Sequence, residues 1–469
     1  MLILLINSDG DVLLKNFIYM LKIKIKTLVI LNISFSFLLS LEINPFITYV
    51  YDTNSDLYVY ENQNLHRNSF GLNLYHSYNN LYLESRLSYH LFTGINERPN
   101  SFNSSPGLGY IENNPGLDSN QFNYFLTSLT FEYSYDKVKI FLGLNNQEWG
   151  PGVNKIILSD KAPQFLNFSY KWNLLKNLSY THLYGRLESQ IEDSSFSEIY
   201  NSDYNRIPTL QKSINAHKIN YLLSDQVTIS FYEMIIYGGN RAIEPYYFLP
   251  LIPFLPIQTY LGDLDNDLIG MSFEVELQNI MLYTSLVVDE WTPPDTFKKE
   301  HKNWFIYQFG IDVETNIINN NSGQFVLEYI YSDNRVYRHK FAINDYYSYS
   351  YPLGFWAGPH SSQLYLLFQQ TIGEYNFIIE YSDSKRGESI YGYNNNFSER
   401  YLNGFEKKKI YKVGFSYNYT DQVLLDFSYS IIDWENAGFD PFNINIETKD
   451  LVKNNIQLSI NYLFKEYKL

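Results

Sequence analysis

The sequence predicts an all-β transmembrane protein, a closed antiparallel β-barrel of about 18 strands with long extracellular loops. Three observations carry that prediction. Runs near the C-terminus alternate apolar and polar residues with a period of two. Aromatic residues make up 18% of the chain, yet its mean hydropathy is −0.27. The connections between β-rich runs alternate between short and long along the chain.

From the start of the chain, residues 1–19 carry Asp9 and Asp11 and fit neither a leader nor a strand, which points to Met20 as the true start. Met20-Leu-Lys-Ile-Lys-Ile-Lys26 is a basic n-region and Thr27 to Leu39 an apolar h-region, so residues 1–40 read as an extension plus a secretory signal peptide. A membrane anchor is the alternative, but the h-region is short for a span. Residues 41–469 are then one barrel domain. Phe46 to Tyr60 supplies the first strand. Further β-rich runs lie near 67–76, 81–91, 124–135, 138–145, 164–171, 178–188, 214–223 and 227–236. They continue near 267–277, 279–289, 303–313, 324–332, 362–370, 375–383, 409–419, 422–431 and 456–464. Short turns at Ser77–Asn80, Asp136–Lys137, Ser224–Gln226, Gln278–Asn279, Thr371–Glu374 and Thr420–Asp421 define one rim. The long connections, such as 92–123, 146–163, 237–266, 333–361, 384–408 and 432–455, define the other. Short periplasmic turns and long outer loops are the outer-membrane rule.

The last strands show the facing most plainly. Tyr411, Val413, Phe415, Tyr417 and Tyr419 oppose Lys412, Gly414, Ser416 and Asn418. Val423, Leu425, Phe427, Tyr429 and Ile431 oppose Asp426, Ser428 and Ser430; Ile456, Leu458, Ile460, Tyr462 and Phe464 oppose Gln457, Ser459 and Asn461. An apolar outer face and a polar lumen follow, with Glu84, Arg86, Glu132, Arg186, Glu188, Glu274, Glu276, Glu328, Glu380, Lys412 and Asp426 on the polar side. The chain has no cysteine, which removes disulfides, zinc–thiolate sites and thiol nucleophiles. A net charge of −15 argues against nucleic acid as a partner.

The distinctive motifs lie mostly in the long connections. Gln147-Glu-Trp-Gly-Pro-Gly152, followed by Ile157-Leu-Ser-Asp-Lys-Ala-Pro163, resembles a signature of the Wzi-type capsule assembly proteins of the outer membrane. Glu233 with Tyr237-Gly-Gly-Asn-Arg241 and Glu244-Pro-Tyr-Tyr-Phe-Leu-Pro250 is similar to that family's central segment. Gly262-Asp-Leu-Asp-Asn-Asp-Leu-Ile-Gly270, the pair Asp289-Glu290 and Phe355-Trp-Ala-Gly-Pro-His-Ser-Ser362 follow in the matching order. The resemblance implies an 18-stranded outer-membrane barrel that acts as a lectin in assembling or attaching capsular polysaccharide. Two departures stand out. No convincing helical segment is present for the family's periplasmic helical element, and Lys465-Glu-Tyr-Lys-Leu469 extends past the terminal aromatic Phe464.

Candidate ligand-binding residues follow from loop chemistry. Trp149, Trp291 and Trp356 sit in long connections, where aromatic faces cover the C–H faces of sugars. Trp149, Arg241, Glu244, Asp265, Asn266 and Trp356 form the proposed glycan set, expected together at the outer mouth or upper lumen. The alternative for each tryptophan is loop packing, and for Arg241 with Glu244 a structural ion pair. Asp263, Asp265, Asn266 and Asp267 offer oxygen ligands, but their spacing is not that of an EF-hand, so turn chemistry is the reading and no metal or cofactor is assigned. No Gly-x-Ser-x-Gly or His-Glu-x-x-His pattern occurs, which argues against an enzyme. The expected partners are surface polysaccharide and outer-membrane lipid. A porin or substrate-selective channel is the competing reading, because it needs the same polar lumen.

Overall fold

The computed structural model describes residues 41–95, 97–111, 120–196, 208–239, 241, 243–296, 303–315, 321–389, 400–465 and 467–468. The expected leader, residues 1–40, lies outside them. Eighteen antiparallel strands close on themselves. The first nine are β1 (Glu42–Thr53), β2 (Asn64–Tyr78), β3 (Leu81–Thr93), β4 (Gln121–Tyr135), β5 (Val138–Asn145), β6 (Phe165–Leu175), β7 (Leu178–Glu192), β8 (Thr209–Ser224) and β9 (Val227–Gly239). Next come β10 (Asn266–Leu277), β11 (Ile280–Glu290), β12 (Trp304–Thr315), β13 (Gly323–Ser332) and β14 (Ser361–Ile372). The last four are β15 (Tyr375–Gly387), β16 (Phe405–Thr420), β17 (Val423–Ala437) and β18 (Lys449–Leu463). β18 returns to β1 from Phe46↔Leu463 to Thr53↔Ile456, and Tyr467–Lys468 prolongs that seam against Ile43 and Glu42. Each of the eighteen strands pairs with two neighbours among the described residues, the closure that a hydrocarbon medium demands.

Turn chemistry sets the short rim. Asn79, Asp136, Gln278 and Gly373 open two-residue turns with φ of 51°, 48°, 56° and 59°. A positive φ at that position gives the mirror-image turns whose twist matches antiparallel strands. The period-two pattern sorts the faces as expected at the C-terminal end. Val413, Ile456, Leu458 and Ile460 are exposed on the outer wall, while Asp426 faces inward and accepts hydrogen bonds from Ser459 and Asn461.

Three expectations need correction. β1 stops at Thr53, not Tyr60, because Asn54 takes a left-handed φ of 51° and turns the chain into an outer connection of its own. β16 begins at Phe405, so Lys408 belongs to a strand and not to a loop. Arg186 and Glu188 face outward: they pair with Ser213 and Gln211, whereas the intervening Leu187 pairs with the buried, inward Lys212. An eight-residue helix, α1 (Phe254–Leu261), also exists, but it lies in the long connection after β9 and not on the short-turn rim.

Candidate functional site

The lumen is not empty. β5 ends at Asn145, and the chain then dives inward through Gln147–Gly152. Gly150 and Gly152 adopt φ of 103° and 79°, which glycine enters without strain. At Gly152 the lack of a side chain matters twice, since a Cβ there would stand 2.1 Å from Glu328 Oε2. Glu328, 1% exposed on the inner face of β13, accepts five hydrogen bonds. The donors are the Val153 and Asn154 N–H groups at 3.1 Å each, Asn154 Nδ2 at 2.8 Å, Tyr283 Oη at 2.9 Å and Gln308 Nε2 at 2.8 Å. One wall carboxylate thus pins the Gly-Pro-Gly turn inside the barrel.

A second connection, 333–360, folds onto the first. Tyr337 Oη donates to Ile156 O at 2.5 Å and Tyr346 Oη to Ile157 O at 2.8 Å. Ser159 N–H donates to Leu353 O at 2.7 Å. Ile156, Ile157, Leu158, Phe355 and Trp356 then share one buried apolar cluster with wall residues Leu183, Ile214, Met234, Leu268 and Ile306. The upper lumen is therefore packed as a protein core. Lys161 is sealed within this plug, donating to Asn103 O at 2.6 Å and Ser105 O at 2.9 Å. Burial, reinforced by nearby Arg386 and Lys408, lowers its pKa from the usual 10.5 to about 7.

Between the plug and the wall of β14–β16 remains a cavity of about 240 Å³. Phe102, Trp356 and Tyr365 give it aromatic surfaces; Asn103, Gln363, Ser382 and Ser384 give it amides and hydroxyls. Its charged lining mixes Lys155 and Lys408 with Asp56, Asp160 and Glu380. A second cavity of about 380 Å³ opens among the outer connections and is bordered by Tyr347, Arg386 and Phe442. Trp356 borders both. Its ring packs on Phe102 with centroids 5.4 Å apart, and its indole N–H donates to Gln363 Oε1 at 3.2 Å. The Arg386 guanidinium is committed to the buried Glu406, at 2.8 Å.

The six expected residues fall into two groups. Trp149 and Trp356 both join the lumen cluster, 6% and 8% exposed, but Trp149 packs on Tyr232 and borders neither cavity. Arg241 pairs with Asp265, not Glu244, and Tyr247 Oη also donates to Asp265, at 2.6 Å. That carboxylate raises the Arg241 pKa, while burial and the same carboxylate raise that of Tyr247. Glu244 lies beside them, its N–H donating to Tyr237 Oη at 3.4 Å. Asn266 begins β10 facing the lumen, paired with Ile236, whereas Asp267 faces the outer wall beside Ile235. The acidic oxygens of that run therefore diverge. Sequence reading missed Glu328 as an anchor, Lys408 and the 97–111 segment that supplies Phe102 and Asn103. Lys408 was detectable: Lys408 and Lys412 share a face four residues apart, once the strand is allowed to start inside the charged run Glu406–Lys409.

No family model matches the chain, and no curated protein matches it in sequence. Among solved structures it is similar to Wzi of Escherichia coli, described as an outer membrane protein involved in group 1 capsule assembly and a carbohydrate-binding β-barrel. That match has a TM-score of 0.57 and 14% identity over 93% of this chain and 87% of the other. OccAB2 of Acinetobacter baumannii gives 0.48 and 11% identity, over 92% and 98%. A BenF-like porin of Pseudomonas fluorescens gives 0.46 and 10%, over 91% and 99%. The shared property is the fold: this chain is a closed 18-strand antiparallel barrel of the outer-membrane kind, with the architecture of Wzi.

Proposed function

We propose that this protein is a lectin-like outer-membrane barrel that binds a surface polysaccharide and serves capsule assembly or attachment, with the cavity beside Trp356 as the saccharide pocket. The observation that supports the reading is the packed core in the upper lumen, beside which lies a small polar chamber edged by aromatics. A pyranose presents C–H faces to rings such as Trp356 and hydroxyls to amides such as Asn103 and Gln363. The carbohydrate binding described for Wzi supports the same direction. Two lysines against three carboxylates give the chamber no cationic excess, which favours a neutral saccharide unit over a polyanionic one.

Planar-bilayer recording and polysaccharide retention on the same purified protein test the proposal. The expected result is little conductance together with retention. Trp356→Ala should lower glycan affinity roughly fivefold, from loss of about 1 kcal/mol of ring contact, while the barrel keeps its heat-modifiable migration. A large steady conductance through the intact protein would establish the channel reading instead. Unchanged retention by a folded Trp356→Ala variant would remove the pocket.

A further inference from the structure

The connection between β9 and β10 does not stand over the mouth; it lies on the outside of the barrel. Register fixes this. In β9 the even residues Tyr232, Met234 and Ile236 belong to the lumen cluster, so Glu233, Ile235 and Tyr237 face outward. Ile235 and Tyr237 are nonetheless fully buried, because Tyr247, Phe254 and Ile257 from the connection cover them. Wall groups hold the cover in place. Glu233 Oε1 accepts the Phe254 N–H at 2.7 Å and the Leu255 N–H at 3.3 Å, capping α1 where Pro253 offers no side chain to do so. Asn215 Nδ2 donates to Tyr247 O at 3.2 Å, and Tyr180 Oη accepts the Leu251 N–H at 3.4 Å.

The free face of this cover is as apolar as the bound one. Tyr246, Leu249, Leu251, Ile252, Leu255 and Tyr260 are 41–75% exposed, and no charged residue occurs from Pro245 to Gly262. A helix resting on a protein surface in water turns polar side chains outward; one that is apolar all round belongs in an apolar medium. The surrounding wall identifies that medium. Phe231, Met271 and Leu286 form the adjacent outward row, are all exposed, and belong to the band that faces hydrocarbon. The apolar surface of the cover continues that band.

We propose that residues 243–264 form an in-plane membrane element, seated on the outer wall of β7–β10 within the outer leaflet, whose free face contacts lipid acyl chains. The segment is then a lateral lipid-contact surface and not an extracellular ligand loop. Its polar underside stays sealed between wall and cover, its backbone donors met by Glu233 and Tyr180. Such a device widens the barrel's apolar girdle on one side only and fixes how the molecule sits in the leaflet.

The cysteine-free chain allows a direct test. Leu255→Cys is labelled with a polarity-sensitive fluorophore and reconstituted into phosphatidylcholine vesicles carrying brominated acyl chains; Tyr110→Cys, in an outer connection, serves as the aqueous control. The expected result is loss of most emission at position 255 but not at 110. Before labelling, reaction of the Leu255→Cys thiol with a membrane-impermeant maleimide should be at least tenfold slower than that of the control. Equal reactivity without bromine quenching would overturn the proposal, and so would a disulfide-linked dimer forming efficiently in place of quenching, which would identify a second copy as the occupant. Should Leu255→Cys lose heat-modifiable migration, Leu251→Cys on the same free face gives the same readouts.

Discussion

Glu328 pins the inward turn with five accepted hydrogen bonds, and its substitution separates a plugged barrel from an open one. Glu328→Ala orphans the Tyr283 hydroxyl, the Asn154 side-chain amide and the Val153 and Asn154 N–H groups, at about 1–3 kcal/mol for each buried donor left without an acceptor. The expected outcome is release of residues 146–164 and a rise in single-channel conductance with the barrel intact. Lys161 tests the same plug by pH. Its folded-state pKa is about 7 against 10.5 unfolded, so between those values the unfolded chain binds more protons and stability rises with pH. Below about pH 7 both states are protonated and the penalty of burying the ammonium is at its full value. Proteolysis of the plug should therefore slow from pH 7 to pH 10, and Lys161→Met should flatten that dependence. Trp149→Ala should cost about 3–5 kcal/mol of stability and leave the glycan affinity of the folded protein unchanged, because Trp149 borders neither cavity, whereas Trp356, in the same cluster, borders both. Residue identity alone could not tell these two tryptophans apart. Both follow the same aromatic-in-loop rule and both enter the lumen cluster, and only their folded positions show that Trp356 borders the cavities and Trp149 does not.

Strands were readable wherever one face meets lipid and the other water, since that contrast writes itself into period two. The pattern fails where it loses its contrast. Around β16 the run Glu406-Lys-Lys-Lys409 puts charges on both faces, because the strand rises above the hydrocarbon there, and its first turn reads as loop. α1 was hidden for a different reason. Pro245, Pro250, Pro253 and Pro256 argue against a helix, yet Pro253 stands at its N-cap and Pro256 within its first turn, positions where a missing N–H costs nothing. Its cap comes from a wall residue distant in sequence, beyond the reach of local rules. Glu233→Ala should accordingly weaken the seat of α1 by about 1 kcal/mol, with chymotrypsin cutting between 245 and 262 several times faster in detergent.

At the scale of the whole molecule, a chain of net charge −15 and mean hydropathy −0.27 enters a membrane because closure separates its two kinds of surface. The separation predicts that a charge has opposite consequences on residues one bond of register apart. Leu458, in the middle of β18, is exposed on the outer wall and pairs with Phe427 of β17. Ser428, the next residue along β17, pairs with Gln457 and Gly414 and faces the lumen. Leu458→Arg places a guanidinium among acyl chains and should cost about 2–4 kcal/mol. Ser428→Arg leaves the same group in a hydrated interior beside Glu380 and Asp426, and should change stability by under about 0.5 kcal/mol. Denaturant titration of both variants in lipid vesicles measures the difference. Equal costs would mean that the lower lumen is dry and that the plug extends the full height of the barrel. Unequal costs place the dry core only where the connections 146–164 and 333–360 create it, at the outer end.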